Sequence, residues 1–248
     1  MCVAPTAATM KNLWNNESTF WWLGIYIGGV NRSCPQPNLS ESWQLTVTHE
    51  TGSGATSGWD LALIWVGDQS RCVTRTLHIS PTHRIPAGTT AAFNDGTGAA
   101  TNAYHEALSL GFGGGAIYFD LEPYNTATYT CLVSARNFIS GWDYQLHTVE
   151  HWLGAVYALH NEIATFSDIK YVPYAVWPSN QTPTHPGVFT VPNLSSSLWV
   201  NHQRLHQCAH TETTTFGGVR YTDDWDCATG PLNGGSNWHV ACTKTKPA

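Results

Sequence analysis

The stretch Gly115-Ala116-Ile117-Tyr118-Phe119-Asp120-Leu121-Glu122 decides how this chain is read. It follows a glycine-rich turn at Phe112 to Gly115, runs through apolar and aromatic residues in the manner of a buried parallel strand, and ends in two acids. Alternate side chains of a strand share a face, so Asp120 and Glu122 point the same way, roughly 6.6 Å apart along the chain. Carboxylates in one concave site repel, so one holds its proton to higher pH and suits general acid work while the other stays ionised. Hydrolysis of a glycosidic bond needs that division. An Asp-x-Glu standing alone fits a loop cap or a helix N-terminus more readily, so its surroundings have to decide.

Outward from this strand the same design recurs. Leu23 to Val30, Trp59 to Gly67, Gly154 to Leu159, Tyr171 to Trp177, Arg204 to Gln207 and Gly218 to Asp224 are further strand candidates. Helix-like stretches lie at Ala7 to Asn15, Ala99 to Leu110 and Cys131 to His147. Strand and helix alternation implies a parallel sheet. With Cys2 to Ala4 as a short eighth strand, the expected fold is α/β: a single (β/α)₈ TIM-type barrel spanning residues 1–248 as one domain. The long connections Ser70 to Asp95 and Ser179 to Ser197 would be elaborated loops near its site. An open, doubly wound sheet is the rival, but no Gly-x-Gly-x-x-Gly follows a strand and opens a helix, so nucleotide binding lacks support.

Composition narrows the function. Charged residues are 11% of the chain and the formal net charge is -6, which offers no basic field to nucleic acid. No apolar run reaches the roughly 20 residues of a membrane span, and no basic stretch with an apolar signal core opens the sequence. Cysteines at 2, 34, 72, 131, 208, 227 and 242 lack the short paired spacings of zinc or redox motifs and read as disulfides. Cys2 with Cys34, Cys72 with Cys131 and Cys208 with Cys227 are the expected pairs, with Cys242 left over. Sequons beginning at Asn16, Asn31, Asn38, Asn180 and Asn193 add to the expectation of a mature or trimmed secreted, extracellular protein.

Several motifs occur in a fixed order: Gly24-Ile25-Tyr26-Ile27-Gly28-Gly29-Val30-Asn31-Arg32 followed by Gln36-Pro37-Asn38-Leu39, then IWVG at 64–67, YFDLE at 118–122 and NHQRLHQ at 201–207. Together they resemble a secreted glycoside hydrolase-like domain family common in actinobacteria, similar in turn to the Chalaropsis-type lysozymes. The barrel of those lysozymes also carries an Asp-x-Glu at the end of its fourth strand. The resemblance implies catalytic-type roles for Asp120 and Glu122 and sets Gln207 and the Asp223-Asp224 pair at the mouths of the last two strands. The Phe-Asp strand that members carry before their first cysteine has no counterpart, because Cys2 follows Met1 directly, so a third acid on that strand is not assigned.

Other side chains are weighed against that frame. Trp65, Trp177, Trp199, Trp225, Tyr26, Tyr118 and Tyr124 fall near strand ends, where rings stack on sugar faces, although half or more should simply pack. Tyr26, Trp65, Tyr124, Trp177 and Gln207 are taken as substrate-binding, with Trp177 and Tyr124 preferred because each adjoins a loop-forming proline. Asp224 is the expected supporting acid, and Asp223 and Asp226 are expected to be solvated or capping. His202, His206 and His210 have the spacing of one helix face, but RLHQ reads as a strand, which would scatter them, so neither metal nor cofactor is expected. The sequence therefore points to a monomeric glycosidase acting on a cell-wall or extracellular polysaccharide. Glu122 would donate the proton, and Asp120 would stabilise positive charge or orient a substrate group such as an N-acetyl. The alternative is a glycan-binding barrel without turnover; a purely structural secreted protein is the third reading.

Overall fold

A computed structural model describes residues 2–16, 21–49, 58–74, 79–180, 187–216 and 218–233. Seven strands form one sheet in sequential order: β1 (Trp22–Gly28), β2 (Asp60–Trp65), β3 (Ala116–Asp120), β4 (Leu153–Leu159), β5 (Ala175–Ser179), β6 (Leu205–Phe216) and β7 (Val219–Ala228). Each overlaps one of the seven strand candidates, but β6 runs well beyond its own through polar, threonine-rich sequence and β7 runs on to Ala228. The pairings from β1 to β6 are parallel, and β6 with β7 is antiparallel.

The expected closed (β/α)₈ barrel is overturned: the sheet is a curled half-barrel of seven strands. Cys2 to Ala4 forms no strand. Its backbone groups are met by side chains instead, with the Ala4 N–H donating to Gln36 Oε1 at 2.7 Å and Gln36 Nε2 and Asn38 Nδ2 donating to the carbonyls of Cys2 and Ala4. At the other edge only residues 217 and 218 separate β6 from β7. A parallel neighbour needs a crossover of about a dozen residues, so two force a hairpin. Among the described residues β1 and β7 are not paired, and the sheet stays open.

The helices are α1 (Ala7–Asn16), α2 (Glu41–Thr48), α3 (Thr89–Ser109), α4 (Tyr129–Asp143) and the single turn α5 (His160–Ile163); α4 runs on as a π-helical segment, Tyr144–Val149. The sequence shows α1, α4 and the second half of α3, and misses α2 and α5. Ser40 starts α2 by accepting the Trp43 N–H on its side chain. α3 and α4 approach backbone to backbone: a Cβ on Gly96 would lie 2.1 Å from the Phe138 carbonyl oxygen, and one on Gly141 would lie 2.1 Å from that of Phe93. The buried face of α3 is accordingly made of small residues, Ala92, Gly96, Ala100, Ala103 and Ala107. This close pair lets Phe138 and Trp142 reach Phe119 on β3.

Two expected disulfides form, Cys2–Cys34 and Cys72–Cys131. The third does not: the sulfurs of Cys208 and Cys227 are 3.9 Å apart, against about 2.05 Å for a bond, and Cys227 is itself disulfide-bonded. Cys242 lies outside the described residues. Of the sequons, Asn31 is buried and structural, donating to the Gly67 carbonyl and accepting the Ser80 N–H, so it presents no acceptor nitrogen to a glycan. No described helix is long and apolar enough to cross a membrane.

The sheet register builds a floor and a mouth. Tyr26, Ile64 and Tyr118 are successive partners on β1, β2 and β3; Asp120, Tyr157 and Trp177 are partners on β3, β4 and β5. Below them the chain that follows β7 plugs the inner space. Asn233 exchanges backbone hydrogen bonds with Leu61 and donates from Nδ2 to the Ala116 carbonyl, while the Tyr118 phenol donates to the Pro231 carbonyl.

Candidate active site

Above that floor, at the C-terminal ends of the parallel strands, opens a cavity of about 470 Å³. Its walls include Tyr26 from β1, Ile64 from β2, Asp120 and Glu122 from the end of β3, Tyr157 from β4, Trp177 and Ser179 from β5, and Gln207 and Asp224 from the hairpin. Strand alternation explains the selection. Ile64 faces in, so its neighbour Trp65 faces out, where its ring would meet a Cβ on Gly28 at 2.3 Å.

Of the residues singled out from sequence, the structure therefore brings Tyr26, Asp120, Glu122, Trp177, Gln207 and Asp224 together. Trp65 and Tyr124 do not line the cavity. Tyr124 is buried below the loop after β3, its backbone N–H donating to Glu162 Oε1 at 2.8 Å. Trp199 is tied to the Pro173 carbonyl and serves packing. Of the His-rich segment, His206 is buried within β6 and His202 sits in a turn at φ 55°, while the side chain of His210 is outside those described, as is that of Asp223. Among the described residues, no three His, Cys, Asp or Glu side chains are placed to hold one metal ion.

The two acids sit in different surroundings. Asp120 is 6% exposed, and its Oδ1 has no hydrogen-bond partner among the described residues. Burial pushes its carboxyl well above the usual aspartate range, and the charge of Glu122 pushes it further. Glu122 is half-buried and opens to the cavity. Burial thus favours the neutral form of Asp120, in a pair where the sequence reading gave Asp120 charge stabilisation or the orientation of a substrate group.

Opposite the pair, a network fixes the hairpin side. Gln207 Oε1 accepts from both the Tyr157 and Ser179 hydroxyls at 2.7 Å, so its Nε2 is the donor to Asp224 Oδ2 at 3.0 Å. Trp177 donates from Nε1 to Asp226 Oδ1 at 2.8 Å, which locks its indole, and Tyr26, Tyr118 and Tyr157 lie around this corner. Asp226 is thereby a partner of the site and not the solvated or capping acid expected of it. Tyr26 is held fully protonated by desolvation and by the negative charges of Asp120, Glu122, Asp224 and Asp226. Burial does the same for Tyr157, with Asp120 next in weight. The cavity therefore offers neutral phenols as donors, a fixed indole, and a pair of unlike carboxyl groups.

A model of the Rv2525c-like, glycoside hydrolase-like domain family matches residues 12–227, from α1 into β7. The chain belongs to this family. The match spans both acids of β3 and every cavity residue named above. Among solved structures, it is similar to the catalytic domain of endolysin ply40 from bacteriophage P40 of Listeria monocytogenes. That likeness is 12% in identity over 86% of this chain and 81% of the other, with a TM-score of 0.44. No curated protein matches it.

The sequence missed Tyr157, Ser179 and His160 as lining residues, and Gln69 and Glu162 as buried groups behind the acids. Tyr157 was visible only as part of the Gly154 to Leu159 strand candidate; what brings it to the cavity is its register position opposite Asp120. Gln69 and Glu162 carried no signal, since each lies outside a strand and works through backbone atoms.

Proposed function

We propose that this member of the glycoside hydrolase-like family hydrolyses a glycosidic bond in a cell-wall or extracellular polysaccharide, as a secreted, single-domain protein. The observation that carries the reading is the placement of Asp120 and Glu122, side by side on one face at the mouth of β3, in a cavity walled by Tyr26, Tyr157 and Trp177. Family membership supports the reaction class, and the two disulfides fit an oxidising compartment.

Glu122, the acid open to the cavity, is assigned the proton transfer to the leaving oxygen, and Asp120 assists from its buried position. A protonated Asp120 can donate to a substrate group such as an N-acetyl oxygen through Oδ1, which has no partner among the described residues; once ionised it stabilises developing positive charge. The pair shares its charge and so titrates as a unit. Asp224, held by Gln207, is the supporting acid, and Trp177 and Tyr26 are the stacking and donor surfaces.

The test is incubation of the purified protein with peptidoglycan, chitin, arabinan and glucan, reading new reducing ends. Cleavage that disappears in Glu122→Gln supports the proposal. Retained binding to one of these glycans with no cleavage by the native protein would replace it with a glycan-binding module.

A further inference from the structure

The last register pair between β2 and β3 is Trp65 with Phe119. Asp120 and Glu122 lie one and three residues beyond it. On the β4 side the strand is still held, with the Leu121 N–H donating to the Tyr157 carbonyl at 2.9 Å. A strand end fixed from one side alone can twist, and a twist there turns both carboxyl groups off the cavity face.

A side chain supplies the missing side. Gln69, 0% exposed, donates from Nε2 to the Asp120 carbonyl at 2.7 Å, and its Oε1 accepts the Glu122 N–H at 2.8 Å. Donating to residue i and accepting from residue i+2 is how a strand residue bonds a parallel neighbour. The amide is anchored in turn: Nε2 also reaches the Gly67 carbonyl at 3.2 Å, the Ile85 N–H donates to the Gln69 carbonyl at 2.9 Å, and the Gln69 N–H donates to the His83 carbonyl at 3.3 Å. The two roles need a donor and an acceptor on one planar group of this length. Glutamate loses the donor when ionised, methionine lacks both, and asparagine is one carbon short.

We propose that Gln69 is a positioning residue for the acidic pair, its amide standing in for the next residue of β2 so that Asp120 and Glu122 keep one face toward the cavity. Its catalytic consequence rests on the hydrolase reading; the clamp itself does not.

The experiment is Gln69→Met in the full chain, with Gln44→Met as control, since Gln44 is a buried amide on α2 away from the site. Amide exchange followed by NMR should show the Glu122 N–H exchanging at least about tenfold faster, with the Leu121 N–H still protected. The Asp120 carboxyl, followed by its carbon chemical shift, should titrate closer to the ordinary aspartate range as water reaches it. On a glycan that the native protein cleaves, kcat should fall about 10- to 100-fold with KM little changed. Gln44→Met should move none of these. Gln69→Glu, the second variant should Gln69→Met not fold, should regain Glu122 protection as pH falls and its carboxyl recovers a donor proton. Unchanged Glu122 exchange with an unmoved Asp120 titration would overturn the proposal, as would equal loss of protection along all of β3, which would make Gln69 a core residue only. If exchange and titration respond but the native protein cleaves no glycan, the clamp stands and the hydrolase reading falls.

Discussion

Asp120 faces Tyr157 across the β3–β4 register, yet the Tyr157 hydroxyl is committed to Gln207 Oε1 at 2.7 Å, and Asp120 Oδ1 has no partner among the described residues. A buried carboxyl oxygen left unsatisfied costs about 1–3 kcal/mol. Recovering that cost by accepting from or donating to a bound group gives ligand binding a reason to centre on Asp120. The two acids differ in their surroundings, with Asp120 buried and Glu122 half-buried and opening to the cavity.

The acids should therefore fail differently. Glu122→Gln keeps shape and is expected to retain glycan affinity while lowering turnover by about 10² to 10⁴, the range that acid assistance supplies. Asp120→Asn should slow turnover through substrate orientation and charge. A substrate with a good leaving group, which needs little protonation, should rescue Glu122→Gln more than Asp120→Asn. Equal rescue would show that the assignment of the proton donor is wrong.

Trp177 and Trp65 should separate in the same way. Trp177 lines the cavity, pinned to Asp226, so Trp177→Ala should weaken glycan binding at least about tenfold, within the range of an aromatic hot spot. Trp65 lies on the other face of β2 against Gly28. Trp65→Ala should leave affinity unchanged while lowering stability by about 1–3 kcal/mol, less than for a fully buried tryptophan. Calorimetric titration and urea unfolding of both variants provide the check; an affinity loss in Trp65→Ala would place the sugar on the wrong side of the sheet.

These two tryptophans also show what the sequence could and could not disclose. Both end apolar runs, and proximity to a strand end is visible in sequence, but the face is set by register, which depends on where pairing begins. The β3 acids were legible because strand alternation alone puts Asp120 and Glu122 on one face, whatever the neighbours. Barrel closure was not. Cys2 to Ala4 is too short to outbid the side chains of Gln36 and Asn38 for its backbone. The hairpin was written in Phe216-Gly217-Gly218-Val219, whose two glycines suit a tight turn and leave no room for a crossover helix. The upward shift of the Asp120 carboxyl was out of reach as well, because its burial comes from elements distant in sequence.

Helix packing offers a test remote from the cavity. Gly96→Ala or Gly141→Ala would drive a methyl against a carbonyl oxygen 2.1 Å away, so α3 and α4 must separate. Each should cost about 1–3 kcal/mol, as overpacking does. Because one separation relieves both contacts, the double variant should cost clearly less than the sum of the singles. Strict additivity would mean that the helices yield locally and do not move as a pair.

Stability should fall as pH rises from mildly acidic values to about 8. Glu162 is fully buried and accepts the backbone N–H groups of Tyr124 and Leu159, but burial outweighs those bonds and raises its carboxyl from 4.5 to about 8. Asp143, which accepts the Tyr174 N–H, is raised by burial from 3.8 to about 7, and Asp120 moves in the same direction. Between the unfolded and folded values the native state binds more protons than the unfolded chain. The unfolding free energy then has a negative slope against pH. The contribution is fully present below about pH 4 and is lost as pH rises through about 7 to 8. Urea midpoints measured at several pH values from 4.5 to 8.5 should decline, and Asp143→Asn, which keeps the oxygen that accepts from Tyr174, should flatten the decline. Glu162→Gln should flatten it further while lowering stability throughout, because an amide cannot accept both N–H groups with its one oxygen. A midpoint that climbs toward pH 8 in the native protein would mean that these carboxyl groups are ionised in the fold, hydrated or paired in a way that the buried geometry does not provide.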